Sequence, residues 1–104
     1  MNIKQIIQEE AKLLEEAFEM SYREYVKETG RAFHGSSMKQ STMKQAAFAE
    51  SMEDLLAMER TFKIAAKAAD ARNSVHGWNF SKDAVTDLIE NVNKRWNTEA
   101  TQQK

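Results

Sequence analysis

The chain has no cysteine and no proline, and its 104 residues include only three glycines. Without cysteine it can hold neither a disulfide framework nor a thiolate-bound metal, which fits a reducing compartment. Without proline, no position has a fixed φ or a missing backbone donor, so helices meet few obligatory stops. No apolar run approaches the roughly 20 residues needed to cross a bilayer. The opening Met1-Asn2-Ile3-Lys4-Gln5 meets a charge too soon for a secretory signal. A soluble, cytoplasmic chain is the expectation. An excess of one charge is also missing. Fifteen Lys plus Arg face sixteen Asp plus Glu, for a formal charge of −1, which argues against affinity built on neutralising many phosphates. With 41% apolar residues, the composition allows one small domain with a modest core.

What the chain does have is helical periodicity. Asn2 is placed to cap a first helix, with Gln5 three residues on. Ile3, Ile7, Leu14, Phe18 and Tyr25 then form an apolar stripe opposite Lys4, Gln8, Lys12 and Arg23. Gly30 offers the left-handed residue that follows a helix, so helix one is predicted over about 3–28. Residues 29–41, rich in Gly and Ser, read as a long loop. Between Gly35 and Gly77 there are 41 residues without glycine or proline, and Phe48, Met52, Leu55, Phe62, Ala66 and Ala69 recur at helical spacing. This predicts one central helix over about 43–72, capped by Thr42. A break follows at 73–80, and then Ser81 caps a third helix over about 82–97 carrying Val85, Leu88, Ile89, Val92 and Trp96. The expected fold is all-α: a long antiparallel hairpin plus a shorter helix, as one domain over 1–97 with a polar tail at 98–104.

The charges fall in blocks. Residues 1–30 carry four basic and seven acidic groups, 46–59 four acidic and none basic, and 60–76 four basic and one acidic. An antiparallel hairpin sets Glu9, Glu10, Glu15 and Glu16 along Arg60, Lys63, Lys67 and Arg72. Glu10 and Glu59 fall within the apolar arcs of their helices, which predicts that they lie close together and take salt links from Arg95, Lys63 or Arg60, or else fix helix register.

A third helix of about 16 residues, roughly 24 Å long, lines only half of a 30-residue partner. The open end of the hairpin would then expose Phe18, Tyr22, Tyr25, Val26, Met43, Phe48 and Met52, an aromatic and methionine patch suited to a second copy or a helical partner. Arg31, Phe33, His34 and Lys39 add loop contacts for a phosphate or an acidic protein. The two histidines stand at opposite ends of the predicted central helix and read as residues of helix C-terminal regions rather than one site.

Glu15-Glu16-Ala17-Phe18-Glu19 has the form EExxE, and Glu50, Glu53 and Asp54 make a second acidic cluster. In this the sequence resembles the MazG-like all-α nucleotide pyrophosphohydrolases, whose pattern is EExxE followed by ExxD on the next helix. The likeness covers the first motif; in the second, Glu50 to Glu53 has the spacing with Glu in place of Asp. It implies Mg²⁺ held between two helices and hydrolysis of nucleotides. Helical projection sends Glu16, Glu50 and Glu53 away from their core stripes, as a solvated acidic face would be. No Gly-rich turn opens a helix to cradle phosphate, and no residue stands in a nucleophile context. The expectation is therefore a non-enzymatic protein–protein interaction module without cofactor or metal, with weak nucleic-acid binding as a third reading. Its size suits an adaptor, a regulator, or a phage- or plasmid-type inhibitor of a larger complex.

Overall fold

A computed structural model of the chain describes residues 2–30, 34–70 and 76–102. These form four α-helices: α1 (Ile3–Thr29), α2 (His34–Ala46), α3 (Met52–Asp70) and α4 (His76–Gln102), with no strand among the described residues. α1 is bounded as its sequence predicts. Asn2 Oδ1 accepts the Gln5 N–H at 2.9 Å, and Gly30, at φ +68°, donates to Val26 O at 2.8 Å. A side chain at Gly30 would be strained in that left-handed conformation.

The predicted central helix is two helices. α2 tightens at its end, where Phe48 N–H reaches Gln45 O and Ala49 N–H reaches Ala46 O, three residues back rather than four. α3 then starts from Ser51, whose Oγ accepts the Asp54 N–H at 3.2 Å, while Asp54 Oδ2 accepts the Glu50 N–H at 2.9 Å. Glu53 and Asp54 in the first turn suit the positive end of the new helix. A cap with acidic residues behind it thus breaks the chain without glycine or proline, and is worth about 1 kcal/mol.

Three further boundaries differ from expectation. The Gly- and Ser-rich stretch predicted as loop is helical from His34 onward. Thr42 and Ser81, both predicted caps, lie inside α2 and α4 and are 4% and 3% exposed. α4 begins at His76 and runs past the predicted end at Asn97 to Gln102, so most of the expected polar tail is helix. Of the predicted second break, residues 73–75 lie outside the described residues, and 76–80 are helical.

The helices alternate in direction. Along α1 and α2, Lys4 pairs with Glu50, Glu15 with Lys44, and Phe18 lies under Lys39, an antiparallel order. Along α3 and α4, Glu59 accepts from Thr86 and Phe62 lies against Trp78, again antiparallel. α4 is the hub, packing against α1, α2 and α3. It supplies Ala84, Val85, Leu88 and Val92 to a core completed by Ile6, Ile7 and Ala11 from α1, Met43 and Ala46 from α2, and Leu55 from α3. The predicted Val85-Leu88-Val92 stripe is thus the centre of the molecule. The assembly is flat, 49 × 33 × 18 Å.

α3 does not lie along α1, so the expected pairing of acidic α1 with basic α3 does not form. Arg95 of α4 instead bridges Glu9 and Glu10, the latter at 3.3 Å. Glu59 takes Lys63 at 3.5 Å and Thr86 at 2.7 Å. Each carboxylate finds a partner named from the sequence, on separate seams rather than as neighbours.

Candidate functional site: an open seam between α2 and α3

In an up-and-down bundle, helices consecutive in sequence normally pack along one another. α1 and α2 do, and so do α3 and α4, but α2 and α3 do not. The opened seam is a groove of about 500 Å³ with α4 as its floor. Met38, Ser41, Thr42 and Gln45 form the α2 wall, and Met58, Thr61 and Phe62 the α3 wall. Trp78 and Ser81 rise from α4. The volume lies within the ~300–1,000 Å³ common for binding pockets.

Each lining residue is placed by helical spacing. Met38, Ser41, Thr42 and Gln45 recur at i, i+3, i+4 and i+7, Met58, Thr61 and Phe62 at i, i+3 and i+4, and Trp78 and Ser81 one turn apart. On the floor, Thr42 Oγ1 lies 2.8 Å from Met38 O and 2.9 Å from Ser81 Oγ. With one proton between two acceptors, Thr42 serves one at a time; when it donates to Met38, the Ser81 hydroxyl donates to Thr42. This buried pair pins α2 to α4 and holds the wall in place. The rings of Phe62 and Trp78 stand 6.0 Å apart, tilted by 30°, and Trp78 is 42% exposed. Among the described residues, no charged side chain lines the groove. It offers apolar contact and a few hydroxyl and amide groups, and the two buried hydroxyls are spent on each other and on a backbone carbonyl.

Charged recesses lie elsewhere among the described residues. One, of about 310 Å³, is lined by Lys63, Ala66, Lys67, Asn79 and Lys82, with Lys63 held by Glu59 and Lys82 by Asp83. Another, of about 380 Å³, lies beside the Arg95 bridge between Glu9, Lys12, Leu13 and Glu16.

The sequence-predicted surface is largely closed. Met43 is fully buried, and Phe18 and Met52 pack against the core. Tyr22 and Val26 are half-buried, and the Tyr25 side chain lies outside the described residues. Phe48, on the α2–α3 link, stands 84% exposed. The physical reason is the length of α4: reaching back to His76, it covers the end of the bundle that a 16-residue helix would leave open. Of the predicted loop contacts, Arg31 and Phe33 lie outside the described residues, and His34 opens α2 with its side chain undescribed. Lys39 holds its ammonium 5.1 Å from the Phe18 ring centre and 6.0 Å from that of Phe80, joining three helices.

The acidic motifs are dispersed. Glu15 pairs with Lys44, Glu19 with Arg23 at 2.6 Å and Glu50 with Lys4, while Asp54 caps the Glu50 amide. Among the described residues, no three His, Asp or Glu side chains converge as metal ligands do. No described helix is long and apolar enough to cross a membrane.

No family model, curated protein or solved structure matches this chain. The likeness to MazG-like enzymes therefore rests on the EExxE residues alone, of which Glu15 faces Lys44 and Glu19 faces Arg23.

The groove residues are absent from the sequence-predicted surface because 38–41 and 78–80 fall in the expected breaks, Thr42 and Ser81 are the expected caps, and Phe62 falls on the expected core stripe of the central helix. The signal was present: the i, i+3, i+4 pattern of α2 begins at Met38, upstream of the supposed cap at Thr42. Likewise Ser51-Met52-Glu53-Asp54 matches the S-x-x-D form that opens helices.

Proposed function

We propose that this protein is a non-enzymatic interaction module that accepts an amphipathic helix of another protein in the α2–α3 groove, as an adaptor, regulator or inhibitor would. The observation that carries this reading is the open seam itself. Three helices form a trough whose described lining carries two methionines and two aromatic rings and no charged side chain. The wall from Met38 to Gln45 is about 10 Å long, two helical turns, and the missing neighbour of α2 and α3 is a helix. Methionine adapts to varied partner shapes, and aromatic residues dominate binding energy at interfaces. The fitting partner presents apolar side chains at i, i+3 or i+4, and i+7, with few charges at the contact.

The test places a photoreactive side chain at Gln45 or at Thr61, on opposite walls, and at Lys27 on α1 as a control. Capture of the same helical segment of another protein from both walls and not from Lys27, lost on Phe62→Ala, supports the reading. Capture that is indifferent to position, or no capture from either wall, refutes it.

A further inference from the structure

α3 packs chiefly along α4, and among the described residues the face of α3 opposite its core stripe is exposed. Glu53, Ala57, Arg60 and Ile64 lie there, with Lys67 at the edge beside the Lys63–Lys82 recess, spaced four and three residues apart, and all are exposed. Ile64 is 70% exposed, a large β-branched side chain standing clear of any core. Among the described residues, Glu53, Arg60 and Lys67 have no ion-pair partner, although Lys63, Lys82 and Arg95 nearby do. The face is also ordered by charge, with Glu53 and Asp54 near its start and Arg60 and Lys67 in its second half.

We infer that this face pairs with the same face of a second copy of the chain, with the two α3 helices antiparallel about a twofold axis near Arg60 and Thr61. One axis satisfies two independent features. Reversal about that point sets Glu53 of one copy against Lys67 of the other, and the symmetry repeats the pair. The same reversal sets Ile64 over the space beside the small Ala57 of the second copy, again twice. Parallel pairing does neither, because it brings Glu53 to Glu53 and Lys67 to Lys67. A helical partner of unrelated sequence has no reason to share both midpoints. The two Arg60 side chains, beside the axis, must diverge into solvent.

The 19 residues of α3 give a face about 28 Å long, which buries less than the ~800 Å² per partner of a standard stable interface. The dimer is accordingly weak and concentration-dependent. Met58 and Phe62 of the groove lie off this face and Thr61 borders both, so Gln45 on the α2 wall reports on the helix-accepting groove independently of this pairing.

Sedimentation equilibrium up to millimolar protein tests the pairing, with circular dichroism confirming that each variant stays helical. The wild-type chain should show a monomer–dimer equilibrium. Glu53→Lys and Lys67→Glu should each weaken it about tenfold by creating two like-charge contacts. The double variant should restore it, and an equimolar mixture of the two single variants should form a mixed dimer. Ile64→Asp should abolish it. A strictly monomeric wild type, a dimer indifferent to these changes, or a double variant as weak as the single ones overturns the inference.

Discussion

The two edges of α2 differ. Along the edge that faces α1, Lys44 pairs with Glu15 and Lys39 lies over Phe18. Along the edge that faces α3, Met38, Ser41 and Gln45 line a groove. The closed edge belongs to a core of Ile6, Ile7, Met43 and Leu88 with ionic contacts at its rim. The open edge carries hydroxyls, an amide and a thioether. Branched aliphatic side chains interdigitate and exclude water, whereas short polar ones hold their own hydrogen bonds and leave room. The seam stays open because of what lines it, and α4 keeps it from collapsing by holding both walls.

That contrast can be broken or sharpened by substitution. The largest effect is expected at the shared floor. Leu88→Ala removes a fully buried side chain and should cost about 2–5 kcal/mol in chemical denaturation. Next comes the hydroxyl pair that fixes the α2 wall. Thr42→Val strands Ser81 in a buried position and should cost about 1–3 kcal/mol, while Thr42→Val with Ser81→Ala removes both groups and should recover part of it. A double variant no better than the single one would show that the pair is not coupled. The smallest effect belongs to Phe48, which is exposed on the link. Phe48→Ser should change stability by less than about 0.5 kcal/mol, and a larger loss would place its ring in a contact the fold does not contain.

The periodic parts of this fold were legible in the sequence. The stripe of α1, its two caps and the Val85-Leu88-Val92 face of α4 follow from spacing alone, because long amphipathic helices bury what their period presents. The boundaries inside the middle of the chain were not. Gly35, Ser36 and Ser37 read as loop but lie in α2, because intrinsic helix propensity is a weak guide over so short a stretch. The break at 47–51 has neither glycine nor proline, and its mark is the weaker Ser51 cap. Glu10 and Glu59 each take a cation from the set Arg95, Lys63 and Arg60 that the sequence offers, since partly buried carboxylates favour cations, but their expected proximity fails because α4 comes between their seams. The groove was the least legible feature. A site made where α2 and α3 do not pack along one another leaves no pattern of its own in either helix.

The native chain has no cysteine, so a single introduced thiol reports on one place only. The most direct measurement is the rate of thiol modification in the folded protein at Ser41→Cys and Thr61→Cys, on the two walls, compared with Ala84→Cys in the core. An open, helix-accepting seam predicts rapid modification at both wall positions, slow modification at 84, and protection of both walls once the captured helix is bound. Wall thiols as slow as the one at 84, or a bound helix that leaves them reactive, would contradict it.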